Sequence, residues 1–275
     1  KGWGGQEIRI LKEAILLREK GYRILFGVEK GARLKEFAEK EGFSVREFSF
    51  KKPSWITTFF FLRNWMQKEQ VDLVNTHSSL DAWIGGITAK SLKKKILRTR
   101  HLSTPIKKGL NSKFLYKYLA DFVVTTCQKI VPVIVSQSKM DPKKCRSIPT
   151  GVSVENLKVD EREKTEWLKT FQFKETDFIV GTTCFMRSWK GLDDLLKAAF
   201  LLKEKKHIKF LLIGGGYKDF YQKSAKDMGL DNVYFTGHLE TPFSAMANFD
   251  VFTLLSTAHE GVSQASLQAA FLKKP

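Results

Sequence analysis

The chain has 275 residues, 43% of them hydrophobic, enough for two domains with buried cores and too apolar for intrinsic disorder. Its longest apolar runs, residues 56–62 and 130–135, are too short to cross a bilayer. The net charge of +18 is lopsided, because residues 1–150 hold 30 Lys and Arg against 13 Asp and Glu, whereas residues 151–275 hold 17 against 16.

A basic first half predicts an anionic counterpart: an acidic membrane leaflet, a phosphorylated acceptor or nucleic acid. A solvated lysine-rich surface is the plainer reading of the same excess. The cysteines Cys127, Cys145 and Cys184 are odd in number and lack metal-type spacing, which fits buried thiols in a reducing compartment.

In chain order, an amphipathic helix is expected over 6–20, with Ile8, Leu11, Ile15 and Leu16 on one face and Gly21 ending it. Short β-branched runs then alternate with helical patterns. Strands are expected at 22–28, 71–76, 95–100, 121–126, 177–184, 208–214, 232–237 and 250–255. Further helices are expected at 31–41, 54–69, 79–92, 160–171, 191–205 and 217–228. The helix at 54–69 sets aromatics beside cations, which suits a membrane interface, while core packing of Phe59, Phe60 and Leu62 explains the same run.

Such alternation implies parallel sheets covered by helices on both faces. The expected fold class is α/β, with two doubly wound, Rossmann-like domains facing across a cleft. Pro149, Gly151 and the change in charge balance place the boundary near residue 152, giving domains 1–152 and 153–275.

In open parallel sheets, ligands gather beyond the carboxyl ends of strands, where helix N-termini point at them. Arg187 and Lys190 follow one strand and can bracket a diphosphate, though two surface cations would look the same. Gly214 opens a triple glycine after the next strand, either a close approach to a ligand or a tight turn. After the last strand comes "HEGVSQASLQ": if a helix begins at Gly261, the amides near Val262, Ser263 and Gln264 form an anion or hydroxyl site next to Glu260. Gln268 then lines the same face, eight residues on. An ordinary cap by Ser263 accounts for part of this pattern.

In the first half, Gly4 and Gly5 could bring backbone amides to a phosphate if a strand preceded them. His77 and His101 end two strands, as site residues or as structural histidines. There is no Asp-x-Asp triplet to hold a metal–diphosphate, no Gly-x-Ser-x-Gly elbow and no Walker loop.

Taken together these segments resemble glycosyltransferase family 4, of the two-domain GT-B fold and the lipopolysaccharide or capsule type. The resemblance runs in order through "GWGGQEIRILKEAILLREKGYRI", "VNTHSSLDAWIGG", "RTRHLSTPI", "IPTGV", "RSWKG", "IGGG", "VYFTGHL" and "FDVFTLLSTAHEGVSQASLQA". It implies retaining transfer of a sugar from a nucleotide-diphospho-sugar to a cell-envelope glycan or glycolipid, with no metal and no other cofactor. The enzyme would be cytoplasmic, peripheral on the inner face of the membrane.

The first domain would bind the acceptor and the second the donor. By resemblance, Glu260 would bind donor-sugar hydroxyls, and the amides from Gly261 to Gln264 the sugar and distal phosphate. Arg187 and Lys190 would stabilise the leaving diphosphate, His101 would sit near the reacting carbon, and Gly4 and Gly5 would approach the phosphates.

Two features depart from the pattern. Tyr22 stands where a histidine is common, and Gln268 replaces a second glutamate that contacts the nucleotide ribose. A glutamine still accepts and donates hydrogen bonds there, without the charge. Relative to the family both terminal regions read as incomplete, lacking a first strand and the elements after Pro275. A nucleotide-sugar epimerase of the same fold and a basic nucleic-acid-binding protein are the alternatives. The first should be richer in carboxylates, and the second lacks any nucleic-acid motif.

Overall fold

The computed structural model describes residues 4–101, 106–152, 157–258 and 260–275. The chain divides into two compact units, Lys1–Thr150 and Gly151–Pro275. Residues 102–105 of the "RTRHLSTPI" segment, 153–156 after "IPTGV", and His259 lie outside the described residues.

The first unit runs α1 (Gly5–Glu19), β1 (Leu25–Glu29), α2 (Leu34–Lys40), β2 (Ser44–Phe48), α3 (Trp55–Lys68), β3 (Leu73–Thr76), α4 (Ser79–Ser91) and β4 (Lys95–Arg100). Then come α5 (Leu110–Lys113), a π-helical stretch Phe114–Leu119, β5 (Phe122–Thr125), α6 (Val131–Ser138) and β6 (Cys145–Ser147). Strands β1 and β2 form one parallel pair, and a second, all-parallel sheet has the order β3-β4-β5-β6. The second unit runs α7 (Glu161–Thr170), β7 (Phe178–Thr183), α8 (Leu192–Leu201), β8 (Ile208–Ile213), α9 (Lys218–Asp227), β9 (Val233–Gly237), α10 (Phe243–Met246), β10 (Val251–Phe252) and α11 (Gln264–Phe271). Its sheet is parallel throughout, in the order β10-β7-β8-β9.

Parallel strands are covered on both faces, so each sheet is packed by helices through continuous apolar runs. In the second unit Leu192, Leu196 and Ala199 of α8 bury against Phe210 and Leu212 of β8. Ile213 and Leu211, pointing the other way, meet Met246 and Phe249. Side-chain alternation along β8 thus feeds two cores from one strand, each large side chain contributing about 2 kcal/mol.

Several elements differ from the sequence expectation. The strand read at 250–255 pairs only over Val251–Phe252. Beyond Thr253, whose N–H still reaches the Gly181 carbonyl at 2.7 Å, the chain leaves the ladder for the site loop. Strands β2 and β6 carry no strand signal of their own: β2 is a half-exposed edge strand with Arg46 and Glu47, and β6 has three residues. The apolar run 130–135 belongs mainly to helix α6, where Pro132 occupies the first turn and no N–H is needed. On α1 the buried positions are Leu11, Ala14 and Arg9, while Leu16 is exposed. Nor do all three residues proposed for a core in α3 enter one, because Leu62 is buried and Phe60 faces solvent.

Candidate functional site

Each unit gathers polar residues at the carboxyl ends of its strands. In the first unit His77 directly follows β3 and His101 directly follows β4. These strands are neighbours, so the two rings meet, with His77 Nδ1 3.0 Å from His101 Nε2. One nitrogen of that pair carries the hydrogen and the other accepts it.

Three further charged residues, not singled out from the sequence, build this end of the sheet. Asp81 in the first turn of α4 accepts hydrogen bonds from the N–H groups of His77 (3.0 Å) and Ser78 (2.8 Å). Arg98, buried on β4, donates to the Ser78 carbonyl (2.9 Å) and lies over the Tyr116 ring. Arg9, buried on α1, pairs with Glu13 at 2.5 Å and donates to Thr150 Oγ1 (2.9 Å) and to the Ile148 carbonyl (3.1 Å). It thereby fastens α1 to the "IPTGV" segment. The available signals are weak: an i, i+4 Arg–Glu pair, and one of three cations in the strand "KILRTR".

Burial, and then the Arg9 and Arg98 charges, push the His101 imidazole down to about 4. Burial, followed by His101 and the same two guanidiniums, brings His77 to about 3. Burial raises the Asp81 carboxyl above its ordinary value, against the two backbone hydrogen bonds and Arg98. The histidine pair is therefore neutral at pH 7.

Imidazoles of the unfolded chain take up protons near pH 6.5, about two units or more before those of the folded chain. Stability is therefore expected to fall as the pH drops from about 6.5 towards 4, which urea unfolding at a series of pH values measures. His101→Asn should flatten that slope, and an unchanged slope would show that other groups set it.

Gly4 does not present its N–H as expected. As the residue preceding α1 it donates to Glu7 Oε2 at 3.1 Å, a carboxylate satisfying one of the helix's leading amides. A Cβ on Gly5 would meet no described residue within 4 Å.

In the second unit the exits of β10, β7 and β8 lie side by side. Their loops are joined through the backbone: Met186 N–H to the Gly215 carbonyl (2.8 Å), Tyr217 N–H to the Met186 carbonyl (3.0 Å), and Thr257 N–H to the Trp189 carbonyl (2.9 Å). Lys190 and Glu260, from two of these loops, form an ion pair, and Ser256 Oγ donates to Glu260 Oε1 at 2.8 Å. Arg187 is exposed, its guanidinium 4.8 Å from the Phe185 ring centre and 5.1 Å from that of Trp189. Two aromatic rings thus hold a guanidinium that remains exposed to solvent.

Two glycines permit this packing. Gly191, at φ +69°, begins α8, and a Cβ there would fall 2.1 Å from the Leu255 carbonyl oxygen. Gly214, at φ +137°, has the Cys184 carbonyl where a Cβ would go, and its N–H donates to the Gly237 carbonyl at 2.8 Å. The close approach that Gly214 allows is thus made by protein backbone rather than left for a ligand. Burial pushes the Cys184 thiol up to about 11, which makes it a poor nucleophile at neutral pH.

The helix after Glu260 begins three residues later than expected. Ser263 is its N-cap, its hydroxyl accepting from Ser266 N–H at 3.3 Å, and α11 starts at Gln264. Gly261 and Val262 lie in the preceding bend, so the helical amides are those from Gln264 onward. Glu260 is outside the helix, and the eight-residue spacing to Gln268 does not place them on one face. A serine cap is the stronger local signal, and it sets the start. Among the described residues no group of three His, Cys, Asp or Glu could hold a metal ion.

The profile of Glycosyltransferase Family 4 matches residues 3–156, and that of Glycosyl transferases group 1 matches residues 177–275. The chain belongs to glycosyltransferase family 4. Curated proteins offer no match to this glycosyltransferase. Solved structures do: Anabaena HepE in complex with UDP-glucose has a TM-score of 0.82 at 19% identity, over all of this chain and 76% of that one. A glycosyltransferase from Rickettsia africae gives 0.82 at 18%, over 98% and 73% of the two chains. The lipopolysaccharide outer core galactosyltransferase WaaB, in apo form, gives 0.71 at 16%, over 100% and 76%. The fold is that of the GT-B glycosyltransferases, and this chain spans about three quarters of the length of these structures.

Proposed function

We propose that this glycosyltransferase moves a sugar from a nucleotide-diphospho-sugar to a cell-envelope glycan or glycolipid, with retention of configuration and without a metal ion. The observation that carries the reading is the Lys190–Glu260 pair at the adjacent exits of β7 and β10. A carboxylate there can accept hydrogen bonds from sugar hydroxyls. The ammonium beside it, with the exposed Arg187, can neutralise charge growing on a departing diphosphate, the work a metal ion does elsewhere. The UDP-glucose bound by HepE supports a UDP-type donor, and the likeness to WaaB, a lipopolysaccharide outer core galactosyltransferase, supports an envelope acceptor.

Residues 153–275 then form the donor-binding part and 1–152 the acceptor-binding part. Gly261, Val262, Ser263 and Gln264 lie against the sugar and distal phosphate. Gln268 takes the ribose through its amide, and Gly214 shapes the floor of the site. The neutral His101, with His77 behind it, hydrogen-bonds at the reacting centre, and the start of α1 at Gly4 and Gly5, where Glu7 already takes the Gly4 N–H, lies on the phosphate side.

The enzyme works in the cytoplasm, at the inner membrane face. In this reading attachment is peripheral; no described helix is long and apolar enough to cross a membrane. Family membership favours transfer over epimerisation and over nucleic-acid binding. The test is a panel of nucleotide-sugars, read as thermal stabilisation and as nucleotide release. A fitting donor at a hundredfold excess over its Kd should raise the melting temperature by about 5 °C. No shift with any donor would overturn the donor site.

A further inference from the structure

A line of hydrogen bonds crosses the carboxyl ends of the four strands in the β3-β4-β5-β6 sheet, and Arg9 on α1 holds one end of it. Arg9 donates to the Ile148 carbonyl at 3.1 Å, just after β6, and to Thr150 Oγ1 at 2.9 Å. The Ile148 N–H donates in turn to the Thr125 carbonyl at 2.8 Å, at the end of β5. Thr126, the next residue, donates its hydroxyl to the His101 carbonyl at 3.1 Å, just after β4. The His101 ring meets His77 beyond β3, and the His77 N–H closes the line on Asp81 of α4 at 3.0 Å.

The line runs through a dry region. Thr125, Thr126 and Arg9 are 0%, 3% and 6% exposed, so water competes little for their bonds. Glu13, which pairs with Arg9, stands at the rim and is 38% exposed. A well-packed apolar side chain is often no less stable than a buried ion pair, so the fold alone does not call for a cation here. A guanidinium adds direction. Its fork fixes a backbone carbonyl and a hydroxyl two residues apart at the same time.

We infer that Arg9 is a positioning residue for sugar transfer, holding His101 at the reacting centre through the hydrogen bonds along these strand ends. The inference rests on the role proposed above for His101. The path from Arg9 to His101 passes through Ile148, Thr125 and Thr126, so a shift at α1 reaches the ring through backbone. Misplacement of a reacting group by about 1 Å can cost about a hundredfold in rate.

The same guanidinium acts on the histidines by charge. After burial, the largest cause, Arg9 and then Arg98 of β4 hold His101 at about 4. Asp81 of α4 faces the pair through the His77 N–H, and Glu13 offsets part of the Arg9 charge. Loss of the Arg9 cation therefore raises the pH at which His101 takes up a proton.

Transfer kinetics and histidine NMR of the full chain test this. Arg9→Met should lower kcat by about tenfold to a hundredfold. The KM for the donor should stay close to wild type, because that substrate is assigned to Lys190 and Glu260. The His101 signals should move, and the ring should titrate above its wild-type value of about 4. Arg9→Lys keeps the charge and loses the fork, so the titration should stay near wild type while kcat recovers only in part. Thr126→Val breaks the line in its middle. Its loss should be less than additive with that of Arg9→Met, although the two side chains bond to different groups.

Wild-type kcat in Arg9→Met, full additivity with Thr126→Val, or a loss confined to the melting temperature with unmoved histidine signals would overturn the inference. If Arg9→Met does not fold, Thr126→Val decides alone, and wild-type kcat with unmoved His101 signals there overturns it. Wild-type turnover in His101→Asn would remove the role of His101 and this inference with it. An impaired His101→Asn beside a wild-type Arg9→Met would remove the inference only.

Discussion

Glu260→Ala is expected to lower kcat/KM for sugar transfer by about 10³-fold while the chain still folds. Glu260 lies in a loop after β10, outside any helix or strand, and its carboxylate meets Lys190 and Ser256. Both of these partners are polar, so the loss should appear in turnover rather than in the melting curve. The pair also predicts a split between binding and rate. Without Glu260, the Lys190 ammonium loses a competing anion, so a nucleoside diphosphate should bind at least as well as to the wild type. Lys190→Ala should instead weaken that binding. Glu260→Gln keeps an acceptor oxygen and loses the charge, and it should fall between wild type and alanine. Steady-state kinetics with diphosphate titrations read all three, and wild-type turnover in Glu260→Ala would remove the residue from the site.

Gly191→Ala is the second large effect. A methyl group there must share space with the Leu255 carbonyl oxygen at 2.1 Å, and an alanine must also hold φ +69°. Backbone cannot yield as a flexible side chain does. The clash and the left-handed conformation together should cost about 4 kcal/mol, or displace the loop that runs from Leu255 to Glu260. Either response separates Lys190 from Glu260, so transfer should fall with stability. Urea unfolding and kcat measured on one preparation would show this. A variant with wild-type stability and rate would mean that the two loops are not wedged together.

Most elements were legible in the sequence, because long β-branched runs alternating with amphipathic ones have few other folds open to them. The 95–100 strand matched residue for residue, since Lys95 and Arg100 bound it sharply. Where pairing rather than composition decides, the sequence misleads. The apolar run 250–255 continues past the point at which the chain leaves Gly181, and β2 hides its strand character behind Arg46 and Glu47 because an edge strand tolerates charge.

The site was legible in its residue types and less so in its geometry. That His77 and His101 meet follows from β3 and β4 being neighbours, which no local pattern announces. The Lys190–Glu260 pair spans 70 positions and depends on β10 lying against β7. The sequence expectation starts α11 at Gly261, whereas Ser263 is the better capping residue and sets the start at Gln264. Arg9 escaped notice because a buried guanidinium is identified by its partners, here Ile148 and Thr150, about 140 positions away.

Nucleotide release is the most direct measurement of the central claim, that β7 and β10 present a nucleotide-sugar donor to Lys190 and Glu260. The full chain, incubated with UDP-, ADP- and GDP-sugars and envelope glycolipid extracts, should release a nucleoside diphosphate from one donor class. That release should disappear in both Glu260→Ala and Lys190→Ala. Release that persists in both variants, or no release and no thermal shift with any donor beside salt-sensitive retention on DNA, would contradict it.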